Sequence, residues 1–292
     1  MKTRKTGFAH IRRRVGLRAA KIWRGFTANQ RALPDFVIIG VQKGGTTSLH
    51  KYLRQHPDIV PSYKKEVKFF DCNYDKGLDW YRAHFPYEGA VNHVDLQTGE
   101  ASPHYIFHPL APERIAEVLP NVKLIALLRD PVERAFSHYQ GNVRAGREPL
   151  TFEEAIASEK ERLDGIEEKI RAGLNPPLHN YLHYSYLAKG IYADQLNNWF
   201  RYFDRSRILI LNSQTFYQDP GKVYQQVLDF LELPPFQLDR YQIYNAGINK
   251  QMKPETREEL RNFFLSNNER LFELLGVDYG WNHATDRERR PM

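Results

Sequence analysis

The residues of this 292-residue chain best suited to chemistry stand together near its start: Gly40-Val41-Gln42-Lys43-Gly44-Gly45-Thr46-Thr47-Ser48-Leu49. An apolar, β-rich run, Phe36 to Val41, leads into them, and a helix-compatible stretch to about Gln55 follows. A strand, a glycine turn and a helix start aim backbone N–H groups and the positive end of the helix dipole at one point, so the expected ligand is an anion. A lysine and three hydroxyls in the turn suit phosphate. The structural alternative is a glycine turn that serves only a tight bend.

Gly40 and Gly45 are spaced as in a Walker A loop, yet Thr46 follows the second glycine where a nucleotidase has lysine, and Lys43 lies inside the loop instead. The candidate for a Mg²⁺-bearing aspartate, Asp130, is ambiguous, because Arg129 precedes it and competes for its charge. A P-loop nucleotide kinase is therefore the second choice. Arg129 ends another apolar run, Val122 to Leu128, and Pro131 suits the first turn of a helix. Arg129 then projects from the strand's carboxyl edge, and Ser137, two turns on, faces the same crevice. A bidentate guanidinium with a hydroxyl is good chemistry for a phosphate monoester. An Arg129–Asp130 surface pair capping the helix is the alternative.

These groups need a rigid frame, and the pattern supplies one. A third apolar run, Arg207 to Leu211, follows a helical pattern from Tyr192 to Tyr202, as the second run follows Pro112 to Leu119. Continuous apolar strands alternating with helices predict an α/β fold, a P-loop-like doubly wound parallel sheet flanked by helices. Residues 144–190, charge-rich and helix-like over Phe152 to Ile170, then aromatic from His179 to Tyr186, read as a helical insertion capping the crevice. Pro254 to Leu275 reads as an amphipathic helix.

The chain carries 42 Lys and Arg against 35 Asp and Glu, a formal +7. Ten of those bases and none of the acids lie in residues 1–31, leaving the other 261 residues at −3. A general nucleic-acid-binding surface is thereby excluded. Phe8, Ile11, Val15, Ala19, Ile22 and Phe26 recur at helical spacing among the arginines. The segment reads as a basic amphipathic arm for an anionic membrane surface, a helix packed on the body, or a transit peptide. The boundaries are an arm over 1–31, a catalytic domain over 32–282 and a polar tail over 283–292. One cysteine, Cys72, and no long apolar run favour a cytoplasmic protein, peripheral at a membrane through its arm.

Beyond the loop, the chain continues with His56-Pro57-Asp58, Lys65-Glu66-Val67-Lys68-Phe69-Phe70-Asp71 and Gly77-Leu78-Asp79-Trp80-Tyr81. This ordered series, with the loop and the Arg129 segment, resembles the sulfotransferases that use 3′-phosphoadenosine 5′-phosphosulfate (PAPS), of the heparan-sulfate type. The resemblance covers about Pro34 to Trp281. It implies in-line sulfuryl transfer to a hydroxyl or amine without a metal, with adenosine 3′,5′-bisphosphate leaving. Lys43 would stabilise the leaving phosphate, and Gly44, Gly45, Thr46, Thr47 and Ser48 would cradle the 5′-phosphate. Arg129 and Ser137 would hold the 3′-phosphate, and Glu66 would be the base.

Tyr192, in Gly190-Ile191-Tyr192, would lie near the cofactor, although its spacing with Leu196 and Trp199 equally suits a helix core. Lys250 and Lys253 occupy the place where a loop closes over the nucleotide. Lys68 could hold an acidic acceptor. Where the family has Glu-Lys-Thr-Pro-x-Tyr, this chain has Glu100-Ala101-Ser102-Pro103-His104-Tyr105, so a sulfate-holding lysine is absent at Ala101. His104 is the proposed replacement, a surface histidine its plainer reading. The expected acceptor is a carbohydrate or glycolipid. A catalytically inactive polyanion-binding protein is the remaining alternative.

Overall fold

Alternate residues of the central strands leave for opposite faces, and both faces are covered. The computed structural model describes residues 23–92, 96–244 and 251–282. Four parallel strands, β1 (Phe36–Gly40), β2 (Gly99–Ala101), β3 (Lys123–Leu128) and β4 (Ile208–Asn212), lie in the order β2-β1-β3-β4. Phe36 pairs with both Gly99 and Lys123, and Leu124 pairs with Ile208. Because the chain leaves β1 for one neighbour and returns to its other side, the carboxyl ends of β1 and β3 flank a topological switch point, where such sheets bind ligands.

Six longer helices surround the sheet: α1 (Thr46–Leu53), α2 (Ala111–Val118), α3 (Pro131–Arg144), α4 (Tyr192–Phe200), α5 (Pro220–Leu231) and α6 (Pro254–Leu275). Val37, Ile39, Leu124, Ala126 and Leu128 pack toward Tyr192, Leu196 and Trp199 of α4. Phe36, Ile38, Ile125 and Leu127 pack the other way, toward Leu49 and Tyr52 of α1 and Val227 and Leu228 of α5. Two buried faces explain why β1 and β3 read as continuous apolar runs.

The insertion differs from its expected single helical stretch. It forms three short helices, Phe152–Ala157, Glu159–Leu163 and Ile166–Arg171, broken in part where Gly165 takes a left-handed φ of 66°. Phe152, Ala155 and Tyr186 join Val132 and Ala135 of α3 and Leu260 and Phe264 of α6 in a third core.

Residues 1–22 and 283–292, most of the arm and the whole tail, lie outside the described residues. The end of the arm is docked: Arg24 donates to the carbonyls of Ala83 and Phe85 at 2.6 and 2.7 Å. Arg31, buried, donates to Phe85 O at 2.9 Å and lies 4.2 Å over the Tyr87 ring. The expected boundary at residue 31 therefore falls within a stretch already anchored to the body.

Candidate active site

The turn after β1 is shaped by what cannot carry a side chain. A Cβ at Gly44 would collide with the Leu127 carbonyl, and Gly45 sits at φ 105° as the cap of α1. Gly44 O accepts from Ser213 Oγ at 2.8 Å, and Val41 N donates to Leu127 O at 3.1 Å. The turn is thus pinned to β3 and to the end of β4. Lys43, at φ 73°, is one of four non-glycine residues with a left-handed backbone among the described residues; Glu66 and Lys68 are two others. Strained backbone at three residues already singled out for chemistry is the pattern of a preorganised site, each costing about 1–3 kcal/mol.

Arg129 donates from Nη1 to Lys43 O at 3.1 Å, so β3 meets the loop where the sequence placed the two phosphate groups. The Lys43 side chain runs to α3, where a Cβ on Gly141 would strike its ammonium. Ser137, half-buried, stands one turn before Gly141 on the same face. Burial lowers the pKa of Lys43, and Arg144, Arg134, Arg147 and Arg129 add to the effect. Arg144 and Arg147, both exposed, extend the cationic rim beyond the residues found in the sequence. Their signal was their position, three residues after Gly141 at the end of α3 and six residues after it, just past the turn that follows.

Asp130 caps α3, accepting from Val132 N at 2.8 Å and Glu133 N at 3.3 Å. The Arg129 guanidinium is 3.8 Å from Glu133, which also meets Arg257. Arg129 is therefore not the surface partner of Asp130. Tyr192 is buried and donates its hydroxyl to Arg129 O at 2.8 Å, so it acts on the pocket by fixing Arg129. Thr46 and Ser48 are also buried, and Ser48 Oγ accepts from Tyr244 N at 3.0 Å, whereas Thr47 is only half-buried. Lys250 lies outside the described residues, and Lys253 pairs with Glu153 at 3.3 Å. The apolar cleft formed by Gly221, Gln225, Pro235, Phe236, Gln237 and Tyr241 has no cation to hold a phosphate.

Glu66 hangs from the end of β2. Its N–H donates to Ala101 O at 3.0 Å, Lys68 N to Ser102 Oγ at 3.1 Å and Phe69 N to Tyr105 Oη at 2.8 Å. The Glu66 carboxylate is 2.9 Å from Lys65 Nζ and 3.7 Å from Lys68 Nζ. Burial pushes its pKa up, but the two lysines outweigh this and leave it below the ordinary glutamate value.

Beneath the segment lies Glu100, fully buried. It accepts from Tyr81 Oη at 2.9 Å, Tyr105 Oη at 3.0 Å and Ser102 Oγ at 2.7 Å. Sequence reasoning had noted this stretch only through Ala101 and His104. Burial raises the Glu100 pKa to about 7, against the lowering effect of its three hydroxyls. A folded-state pKa above the unfolded one gives stability that is complete below pH 4.5 and is lost as pH rises through about 7. Melting temperature should accordingly fall between pH 5 and pH 8, and Glu100→Gln should flatten that slope; an unchanged slope in the variant would remove Glu100 as its source.

His104 is not at the surface: it is 6% exposed, with Nδ1 3.2 Å from Asp71 Oδ2. Burial and the nearby Lys189 depress its pKa to about 4 against the pull of Asp71. The imidazole is thus neutral at physiological pH and brings no cation to the place left by Ala101.

Residues 33–274 match the sulfotransferase domain family. Heparan sulfate glucosamine 3-O-sulfotransferase 6 of Mus musculus is 31% identical over 280 residues, covering 87% of this chain and 75% of that protein. The membrane-associated sulfotransferase kil1 of Dictyostelium discoideum is 29% identical over 316 residues, covering 86% and 67%. The crystal structure of a sulfotransferase from Alicyclobacillus acidocaldarius superposes with a TM-score of 0.65 at 33% identity, over 86% of this chain and all of the other. The kinase alternative has no support in this likeness. A match that runs from before β1 to the end of α6 places the chain in the sulfotransferase family, as an enzyme that transfers sulfuryl groups.

Proposed function

We propose that the enzyme moves the sulfuryl group of PAPS to a carbohydrate hydroxyl. The observation that carries this reading is the joining of Lys43 and Arg129 through the Lys43 carbonyl, which sets two cations at the switch point where a doubly phosphorylated nucleotide can be held. The loop fits such a group: Gly44 leaves no room for a side chain, and the cap of α1 is a glycine with none to fill the helix start. Lys43 with the Gly44–Thr47 backbone would hold the 5′-phosphate, and Arg129 with Ser137 the 3′-phosphate. When bound, PAPS supplies a sulfuryl group on a good leaving phosphate. Lys43 neutralises charge on that leaving oxygen, and Glu66 takes the proton of the acceptor hydroxyl. Lys65 and Lys68 hold the carboxylate in place until an acceptor arrives.

Kinship with a heparan sulfate 3-O-sulfotransferase supports a sugar acceptor, and the half-buried cations around Glu66 suit an acidic one. Calorimetry with adenosine 3′,5′-bisphosphate in chelator tests the donor reading. Binding is expected without added metal and weakened about 10- to 100-fold in Arg129→Ala, which loses a charge-assisted pair. No binding by the unaltered protein would refute the reading.

The arm is a tether, we infer, for an anionic membrane surface, supported by its ten bases without an acid and by the membrane-associated relative. Among the described residues no helix is long and apolar enough to cross a membrane. Deleting residues 1–22 should abolish co-sedimentation with anionic vesicles while sparing the docked Arg24 and Arg31; persistent binding would overturn the tether.

A further inference from the structure

Lys189 is a buried lysine with no ion-pair partner among the described residues. Its residue is 4% exposed, and its ammonium donates to Leu182 O at 2.7 Å and to Gln42 Oε1 at 3.2 Å. The Phe107 ring lies 5.6 Å away to its centroid, and the carboxylates of Glu159 and Asp71 act on the ammonium only through space. An ammonium has three N–H donors, so one is left over. Burying an unpaired charge costs several kcal/mol, a cost that an arriving oxyanion would offset.

Its position says what that is. Gln42 directly precedes Lys43 in the phosphate loop, so Lys189 is bonded to the donor side of the site. Lys189 also lies within electrostatic range of Lys68 and Asp71, the segment that carries Glu66. Three residues on, Tyr192 holds Arg129. Lys189 therefore touches the phosphate loop through Gln42 and acts electrostatically on the segment that carries Glu66.

We propose that Lys189 receives the sulfonate oxygens of the donor with its unused N–H and holds them as the acceptor attacks. The site takes a terminal oxyanion carried on a 5′-phosphate. Burial, reinforced by Arg134, lowers the Lys189 pKa well below its ordinary value against the pull of Glu159 and Asp71, and a bound oxyanion would raise it again. The assignment rests on the PAPS reading above.

The test compares PAPS with adenosine 3′,5′-bisphosphate, which differ by the sulfonate alone, in the full-length protein without acceptor. Lys189→Met keeps the chain's length and removes the charge. It should leave the bisphosphate affinity and the melting temperature unchanged or slightly higher, and lower PAPS affinity about 10- to 100-fold. Turnover at saturating PAPS should fall with it. Equal changes for both nucleotides would show a structural lysine and overturn the assignment, as would no change for either. An anion carried by the acceptor rather than the donor would leave acceptor-free PAPS binding unaltered and move only the acceptor KM, and this too would overturn it. Failure of the unaltered protein to bind either nucleotide would instead remove the donor reading on which the proposal stands.

Discussion

Glu66→Gln should lower turnover by about 10²- to 10⁴-fold, the usual worth of a positioned general base, while adenosine 3′,5′-bisphosphate binds as before. The substitution keeps the shape, and the backbone N–H that docks on Ala101 O is unaffected. What is lost is the acceptor for the hydroxyl proton. In the proposed role the carboxylate would be an unusual base, because Lys65 and Lys68 hold its pKa below the ordinary 4.5 despite burial. A depressed carboxylate is present as base above its own pKa and is lost as pH falls through it. The acid limb of kcat/KM should therefore lie below pH 4.5. A limb near 7 would instead point to Glu100, the carboxyl that burial raises to about that value, and would dismiss Glu66. A Glu66→Gln enzyme of nearly full activity would dismiss it too.

Lys43→Met is the second large effect, about 10²- to 10³-fold in turnover, as for removal of one donor to a developing oxyanion. The ammonium is already crowded by Arg129, Arg144 and Arg147, so its removal relieves like-charge repulsion, and the folded protein should melt no lower. Loss of activity with retained stability separates a catalytic cation from a structural one. Burial, and then those arginines, lower the pKa of Lys43, so the charged form is lost as pH rises through a value below 10.5. The unaltered enzyme should show an alkaline limb there that the variant lacks. Unchanged turnover in Lys43→Met would end the assignment of leaving-group stabilisation to this residue.

The cradle was legible because its parts are local: a strand, a glycine turn and a helix start lie within twenty residues, and each has its own residue signature. Arg129 was legible for the same reason, being at the end of an apolar strand and before a helix-starting proline. β2 escaped notice because three residues with a glutamate at their centre carry no periodicity. The hydroxyl cage of Glu100 draws on Tyr81, Ser102 and Tyr105, and only the fold brings Tyr81 to the other two. His104 looked like a surface residue until Asp71, thirty-three positions earlier, was folded against it. Lys189 was hidden differently. Its neighbours Gly190 and Tyr192 drew attention to a helix start, and nothing local says that a lysine there faces Gln42 across 147 residues.

One arrangement in the sheet sets a limit on how this enzyme can change. The loop with Lys43 continues from β1, and the segment with Glu66 is hydrogen-bonded to the end of β2, its immediate neighbour. The interval between the Lys43 loop and the Glu66 segment is thus set by the spacing of paired strands, about 4.8 Å, and by a backbone ladder that side-chain exchange does not alter. The insertion, which packs on α3 and α6 rather than on the sheet, can drift in sequence while that spacing stays fixed. Diversification of acceptor choice is open to this scaffold, whereas a change of reach between the two reacting ends would require the sheet to be re-registered.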